Sequence, residues 1–597
     1  KDRSGWYVSP PRLDYDLNLA VPLAEIARLQ DRELVTEVLE ENPALQPPCR
    51  EPATRFLALR RRSLDGQTVL IERLYMPNEY GQELAGADLT MSMSDLLRDE
   101  LGVQITDERF AFQDLREIVR TEFEAYVGGK VDRVSLTGPI DVQAAVDNRD
   151  NYAQRRVLRN GQLRAETSTA WDSGSVTSVA TYSASNKSQL TNVANVANIE
   201  VGSLVTGAGV GREIYVREVN VGAQTVTLSQ PLSDAVGTQT YTFTRFRYML
   251  DFSGFTRLDK FEIEDVEFQC SELCSGLMLP PVGTVNVIRN CVFNRPADRC
   301  VTSIGEGCQG LLLDHNQFVS AEGGLATQNR SSVALNTNAN DVKIRNNRAS
   351  QFRHFAVVSG ANGVIANNHF FQGDDSGNGT RSAGIVLCVK ATNTTISGNY
   401  VDNCFIEWTN EREPEPDFVS GFGFSGLSVT NNVFLCSDVA SHFGFIVVKP
   451  YGQNNRVNGL NVSGNLFRSV GGNIARVDRV DDSFAPLDLS SMRNVYVSSN
   501  TYLNVDNGCA NPLTVKHAQN THATTWVVDT EDRLPFGGYA MEVDSLVTRS
   551  RPRTSGNITN NAMPYTSTRE GAAQDQVHVI WPEPILGDIT MTVRMDN

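Results

Sequence analysis

One eight-residue phrase recurs between residues 261 and 502 and limits what this chain can fold into. It begins with apolar residues at its first and third positions, has Asn at its sixth position and ends on a large apolar residue. Its clearest copies are LLLDHNQF at Leu311–Phe318, LSVTNNVF at Leu427–Phe434 and LNVSGNLF at Leu460–Phe467. The repeated asparagines are Asn316, Asn347, Asn368, Asn399, Asn432, Asn465 and Asn500, and earlier copies carry Val266 and Cys291 in the same position.

Successive copies lie 21 to 35 residues apart, and a repeat with that spacing indicates a solenoid, a propeller or another array. The alternation has a period of two, so the repeated unit is a strand rather than a helix. The shortest spacing, 21 residues, is too small for a four-stranded propeller blade. A coil of stacked parallel strands fits, with one rung for each repeat.

Within such a rung, the Asn is expected to adopt left-handed backbone geometry and to hydrogen-bond its neighbours in the stack. The residue two positions later is expected to fill the interior. These interior residues are Phe268, Phe293, Phe318, Ala349, Phe370, Val401, Phe434, Phe467 and Tyr502.

The length and net charge of the chain limit its number of domains and its possible partners. Its 597 residues predict three or more domains. A net charge of −17 argues against nucleic acid and anionic membranes as partners, and would repel an acidic polymer unless a local basic groove exists. Ten scattered cysteines without a CxxC pair are interpreted as reduced core thiols, which suits assembly in a cytosol.

The fold class predicted is mainly β: a parallel β-helix with an α+β N-terminal domain, an inserted small β module and a C-terminal β-sandwich-like domain. The predicted divisions are 1–112 (N-terminal domain), 113–173 (connecting helix, cap and first rungs), 174–247 (inserted module), 248–510 (β-helix) and 511–597 (C-terminal domain). Predicted helices are Pro22–Leu39, Ser92–Leu101, Gln113–Tyr126 and Ile140–Asn148. Strands at Arg55–Leu59 and Thr68–Tyr75 are predicted to form a hairpin.

The N-terminal segment resembles a UTRA domain, the chorismate-lyase-like effector-binding domain of bacterial regulators. The resemblance is carried by GWYVSPP at Gly5–Pro11, by the run at Phe56–Pro77 and by the run at Asp88–Ile105. Because no winged helix precedes these pieces and the second half of such a domain is not recognisable after Phe110, we interpret the domain as an adaptor, with a retained small-molecule site as the alternative.

The order of an adaptor, a capped β-helix with long turns and a terminal β domain resembles bacteriophage tailspike proteins, and also pectate-lyase-like enzymes. The resemblance implies a right-handed coil and a homotrimer on a virion or phage-like particle, attached through the N-terminal domain. It implies that such a protein binds, and often cleaves, a polysaccharide of a bacterial host surface.

Two long turns supply carboxylates for such cleavage. They are FFQGDDSGNGTRS at Phe370–Ser382 and FIEWTNEREPEPDF at Phe405–Phe418, which the repeat places one rung apart. Glu407 is predicted as general acid, because it interrupts an apolar strand, with Asp374 or Asp375 as nucleophile or base. Trp408 is predicted to stack on a sugar ring.

Further substrate-binding candidates are Arg381, His354, Lys449, Tyr451 and Arg476; several of them would also suit a lyase, which needs a base and a cation. No metal or cofactor is predicted, with Ca²⁺ held by Asp374 and Asp375 as the alternative. Three functions therefore remain open: a polysaccharide-cleaving spike, with hydrolysis favoured over elimination, an adhesive spike without turnover, and a secreted lyase or epimerase.

Overall fold

The computed structural model describes residues 34–41, 54–64, 67–77, 88–90, 134–136, 156–166, 169–171, 174–232, 237–305, 308–373, 379–421 and 423–596. Strands dominate these residues. Their helices are five 3₁₀ turns, at Val196–Asn198, Glu322–Gly324, Thr327–Asn329, Leu489–Ser491 and Pro535–Gly537. No helix in the described ranges is long and apolar enough to cross a membrane.

The chain forms two compact units, the first from residues 1–136, 141–164 and 259–267. This unit holds a three-stranded antiparallel sheet of Leu34–Glu41, Thr54–Leu64 and Gln67–Pro77. The predicted hairpin is confirmed, since Leu64 pairs with Gln67. Short strands at Val134–Leu136 and Arg156–Ala165 lie where the first rungs were predicted, and the strand Phe261–Gln269 spans the boundary between the units.

The predicted helix Pro22–Leu39 is wrong over its last turns, because Leu34–Glu41 is a strand that pairs antiparallel with Thr54–Leu64. The i, i+4 spacing of Leu34 and Val38 imitates a helix, whereas Val35, Thr36 and Val38 are β-branched residues that favour strands. Residues 22–33 and the helices predicted at Ser92–Leu101, Gln113–Tyr126 and Ile140–Asn148 lie outside the described residues.

The second unit contains the parallel β-helix, so the predicted fold class is confirmed. Each rung contributes one strand to a nine-stranded front sheet and two strands to a back sheet. The front strands are Tyr248–Asp251, Ser275–Met278, Arg299–Thr302, Val333–Thr337, His354–Val358, Ala383–Leu387, Phe405–Thr409, Ile446–Lys449 and Asp478–Val480. The back strands from Val287 onward are Val287–Arg289, Val292–Asn294, Leu312–Asp314, Gln317–Val319, Lys343–Arg345, Arg348–Ser350, Val364–Ala366, His369–Phe371, Ala391–Ser397, Tyr400–Asp402, Ser425–Thr430, Val433–Ser437, Asn458–Ser463, Leu466–Val470, Arg493–Ser498 and Thr501–Leu503.

The repeated asparagines form a continuous hydrogen-bonded ladder. The backbone N–H and the side-chain Nδ2 of Asn316 both donate to Oδ1 of Asn347, at 2.9 and 3.0 Å. Asn347 donates in the same way to Asn368, and the pattern continues through Asn500. The Nδ2 groups also donate to backbone carbonyls, as Asn399 does to Ile365. Each rung is thereby tied to the next through buried amides.

The expected left-handed geometry falls one residue earlier than predicted. The residue before each ladder asparagine has positive φ: His315, Asn346, Asn367, Gly398, Asn431, Gly464 and Ser499. That residue reverses the chain between two back strands, and the turn directs the next side chain into the stack. Asn and Gly predominate at this position because they tolerate positive φ.

The predicted interior column is confirmed. Phe318, Ala349, Phe370 and Val401 pair in register, followed by Phe434, Phe467 and Tyr502. Where aromatics are consecutive they stack, with ring centroids of Phe434 and Phe467 4.9 Å apart. Nine of the cysteines lie within the described residues, and all nine are buried thiols outside any disulfide.

An inserted module forms a six-stranded antiparallel sheet of Ser175–Tyr182, Gln189–Thr191, Leu204–Thr206, Val216–Asn220, Thr225–Leu228 and Thr238–Thr244. Back-sheet strands alternate buried and exposed residues, whereas every residue of the six front strands between Ser275 and Thr409 is buried. Tyr215 of the module packs with Tyr248, Met278 and Ile304. The module therefore lies on the outer face of the front sheet.

After the last rung, one five-stranded antiparallel sheet replaces the two layers predicted for a sandwich. Its strands are Leu513–Asp529, Glu542–Thr548, Arg553–Thr554, Tyr565–Glu570 and Gln576–Arg594. The long strand Gln576–Arg594 pairs with all four others.

We predict that Asn399→Ala lowers the free energy of unfolding by at least about 2 kcal/mol, because it orphans buried donors of Asn368 and the Ile365 carbonyl. Urea denaturation followed by circular dichroism measures the change. Gln317→Ala is the matched control, since it removes an exposed amide from a back strand. Equal midpoints for both variants would contradict the ladder's role.

Candidate functional site

Three neighbouring front strands place charged side chains on the outer face of the sheet. Glu407 is in register with Val447, and Val447 with Arg479. Lys449 lies two residues beyond Val447 and Asp481 two beyond Arg479, so both share that face. We call Glu407, Lys449, Arg479 and Asp481 the charged face.

Arg212 of the inserted module reaches the same face and binds two carboxylates. Its Nε donates to both oxygens of Glu411, at 3.0 and 3.1 Å, and its Nη2 donates to Glu411 and to Glu407. Nearby, Arg299 of the front sheet pairs with Glu213 of the module at 2.8 Å. The module is thus docked through a chain of ion pairs.

Arg412 completes this docking from the turn that follows Glu411. Its guanidinium donates to the backbone carbonyls of Arg212 and Glu213, and to Oδ1 of Asn338 at 2.9 Å. Burial raises the pKa of Glu411, but the charge and hydrogen bonds of Arg212, with Arg412, outweigh burial and hold that pKa below its ordinary range. Glu411 therefore stays ionised beside two guanidinium groups.

Glu407 is an acidic residue in an otherwise apolar strand, and the structure gives a reason for it that the sequence did not reveal. The residue is 6% exposed and paired with Arg212, a partner 195 positions away in the chain. A polar residue in an apolar strand signals a functional group or a buried partner equally well, and only the position of the module distinguishes them.

The described residues of the two acidic turns attach to the front sheet at different ends of its strands. The first connects the back strand His369–Phe371 to the front strand Ala383–Leu387 and thus enters the front sheet. The second contains the front strand Phe405–Thr409, and its acidic part, from Glu411 onward, leaves that sheet. A front strand of five residues spans about 17 Å, so the described ends of the two turns are about that far apart, and the meeting of their carboxylates stays a prediction. Asp374 and Asp375 themselves lie outside the described residues.

Four predicted substrate-binding residues are engaged within the protein. Trp408 has no exposed surface, donates from Nε1 to Val389 O at 3.0 Å and packs edge-on against Phe424. Its predicted stacking on sugar is wrong, because a ring enclosed by the core offers no face. Arg381 is also buried and donates to the carbonyls of Gly373, Ser437 and Asp438.

His354 is buried, and its Nδ1 lies 2.6 Å from the carbonyl of Ala383. Burial lowers its pKa, and the charge of Arg212 lowers it further. Arg476 pairs with Asp478 at 3.1 Å and with Asp532 at 2.6 Å, which ties the last front strand to the C-terminal segment. Neither side chain is free to hold a sugar in this arrangement.

Lys449 and Tyr451 are the predicted residues that the structure brings together, and Phe484 joins them. The rings of Tyr451 and Phe484 stack with centroids 4.1 Å apart and planes 20° apart. The Nζ atom of Lys449 lies 5.1 Å from the Phe484 centroid and 3.3 Å from Asp481. Phe484 is 54% exposed. Sequence reasoning missed it because it lies in a loop outside every repeat phrase.

The backbone of Tyr451 is held from two sides, so the aromatic pair has a fixed base. Asn410 accepts from Tyr451 N at 2.7 Å and donates to Tyr451 O at 2.9 Å. Asn455 donates to the same carbonyl and to Pro416 O, each at 2.9 Å. We call Tyr451 and Phe484 the aromatic platform.

The charged face influences the ionisation of the aromatic platform beside it. Burial raises the pKa of Tyr451, and the negative charge of Glu411 raises it further, while Arg212 opposes this effect. Asp481 keeps a lowered pKa: burial raises it, but hydrogen bonds from Ser483 and the charge of Lys449 prevail. A protonated phenol, an exposed ring, cations and ionised carboxylates therefore adjoin one another. We call the platform and the charged face together the candidate site.

Among the described residues, no group of three or more His, Cys, Asp and Glu side chains is arranged to hold a metal ion. The Ca²⁺ alternative rested on Asp374 and Asp375, which are not described, so it stays a sequence-based expectation.

Comparison with known proteins finds two kinds of likeness. Residues 49–113 match the UTRA domain family, which supports the N-terminal assignment over that stretch. Similar solved structures include a double mutant of the tailspike protein of Escherichia coli bacteriophage HK620, with a TM-score of 0.30, 12% identity, 59% of this chain and 71% of that chain. A single mutant of that tailspike, in complex with a pentasaccharide, has a TM-score of 0.32, 14% identity and the same coverage. No curated relative matches the sequence.

We predict that Arg212→Ala loosens the docked module, because it leaves Glu407 and Glu411 as buried charges without their guanidinium partner; such losses cost about 3–5 kcal/mol. Hydrogen exchange of residues 204–228 should rise markedly. The control is Arg217→Ala, on the module strand Val216–Asn220. Unchanged protection in the Arg212 variant would show that the ion pairs do not hold the module.

Proposed function

We propose that the chain is a tailspike-like receptor-binding protein that holds a bacterial surface polysaccharide at the candidate site. The observation that carries this proposal is the aromatic platform: an exposed ring, Phe484, fixed against Tyr451 beside charged groups. Aromatic faces bind the apolar faces of sugar rings through buried area, while adjacent charges orient the hydroxyl and acidic substituents. The bacterial origin of the polymer is what the resemblance of the sequence to tailspike proteins implies.

The same proposal includes a homotrimer carried by a virion or phage-like particle through its N-terminal domain, acting at the host surface. Its support is a set of half-exposed apolar side chains along the outer back sheet, which neighbouring copies would cover: Val364, Phe371, Val433, Val470 and Leu503. Sedimentation that shows a stable monomer at micromolar concentration would contradict trimer formation.

We predict that Phe484→Ala weakens polysaccharide binding about three- to tenfold, as expected for loss of one stacking face. The full chain is titrated with a panel of purified capsular and O-antigen polysaccharides, and the tightest binder is used for the comparison. Tyr565→Ala removes an equally exposed ring from the C-terminal sheet and should leave affinity unchanged. Failure of the unmodified chain to bind any polymer would refute the proposed function.

Hydrolysis of the bound polymer is the second candidate function. Glu407 and Glu411 both accept from Nη2 of Arg212, so the two carboxylates lie within about 6 Å of each other. Retaining glycosidases place their carboxyl groups about 5–5.5 Å apart. Ionised Glu411 would act as nucleophile or charge stabiliser, in place of Asp374 or Asp375, and Glu407 would be the second carboxyl group of the pair.

We predict that Glu407→Gln abolishes release of reducing ends from the bound polysaccharide while binding persists. Hydrogen exchange of the module, measured in parallel, shows whether the variant keeps the module docked. Cleavage at the unmodified rate would remove Glu407 from catalysis. Unsaturated ends, detected by ultraviolet absorbance, would indicate a lyase, and binding without any released ends would indicate an adhesin.

A further inference from the structure

Arg479 is a cation of the charged face that the protein leaves unsatisfied. It lies on the last front strand, in the column of Glu407 and Val447. Arg479 is half-buried, and among the described residues its guanidinium forms no hydrogen bond or ion pair; its Nε atom is shielded from water, whereas its terminal nitrogens are not. The other cations nearby are engaged, since Arg212 pairs with Glu411 and Lys449 with Asp481.

An unsatisfied donor on a guanidinium is unfavourable, because a shielded N–H without a partner loses the hydrogen bonds it makes in water. The Nε atom stays out of reach of a ligand, but a ligand acceptor can reach the terminal nitrogens, which have no partner among the described residues. Guanidinium groups present a planar fork of donors that matches carboxylate and phosphate oxygens. The local chemistry therefore favours an anionic ligand group.

The aromatic platform determines which part of a ligand can reach Arg479. Lys449 lies over the ring of Phe484. The strand that carries Lys449 pairs with the segment that carries Arg479 and Asp481. A sugar ring packed against the exposed part of Phe484 would thus lie beside Lys449, whose strand pairs with the strand that carries Arg479. The pairing of Lys449 with Asp481 leaves Arg479 as the stronger anchor.

We infer that the candidate site is selective for an acidic polysaccharide, one whose repeating unit carries a carboxylate or another anionic group held by Arg479. This inference rests on the proposed polysaccharide binding. The net charge of −17 repels a polyanion at long range. Recognition therefore depends on this local cation rather than on the charge of the whole chain.

The test compares one acidic polysaccharide with the same polymer after chemical reduction of its carboxyl groups. The full chain should bind the native polymer at least about tenfold more tightly, the scale of one charge-assisted hydrogen bond. Arg479→Gln should remove this difference by weakening binding of the native polymer alone, and Arg479→Lys should recover part of it. Arg468→Gln, which removes an exposed charge from the back strand Leu466–Val470, is the matched control.

Asp481→Asn provides a variant that works in the opposite direction, because it releases Lys449 from its ion pair. Affinity for the native polymer should rise relative to affinity for the reduced polymer. Thermal unfolding of each variant checks that the solenoid is intact.

The outcomes separate this inference from the proposed function. Equal affinity for native and reduced polymers, with binding still dependent on Phe484, would refute acidic selectivity and leave polysaccharide binding in place. A panel in which neutral polymers bind as tightly as acidic ones would have the same meaning. If the tight binders carry phosphate, loss of binding after dephosphorylation assigns the anion to phosphate. Absence of binding to every polymer would refute both proposals.

Discussion

Hydrogen bonds between asparagine side chains of successive rungs are the interaction on which the rest of the fold depends. From Asn347 onward, each ladder Oδ1 accepts two N–H groups from the rung before it, as Asn368 does from Asn347. The ladder fixes where every rung turns, and so sets the interior residue two positions later. With one corner of each rung constant, the other turns can vary in length without loss of register. The candidate site lies among these variable segments.

A second constraint is the charge network that joins the inserted module to the front sheet. The network includes two charged residues of the front strands, Arg299 and Glu407, and each of them pairs with a residue of the module. The module covers the earlier front strands, and the platform of Tyr451 and Phe484 stands beside the last ones. Arg212 and its carboxylate partners therefore lie between the docked module and the proposed binding site.

The repeated features of the fold can be predicted from the sequence, whereas contacts between residues far apart in the chain cannot. The strand phrases, the ladder and the interior column follow from a pattern with period two that is copied seven times or more. Glu407 was identified as unusual, but its partner Arg212 lies in an insertion whose docking leaves no local signal. Trp408 and Phe484 show the same limit: the strand tryptophan is enclosed by the core, whereas the loop phenylalanine is exposed. Side-chain orientation across a curved solenoid depends on register between rungs, which composition does not encode.

The most direct test of this account is an experimental structure of the full chain with an oligosaccharide from the tightest-binding polymer. The account predicts a sugar ring stacked on Phe484, with an anionic group within hydrogen-bonding distance of Arg479. Oligosaccharide bound at the opposite edge of the front sheet, near the turn between Phe371 and Ala383, with an unoccupied platform, would contradict it.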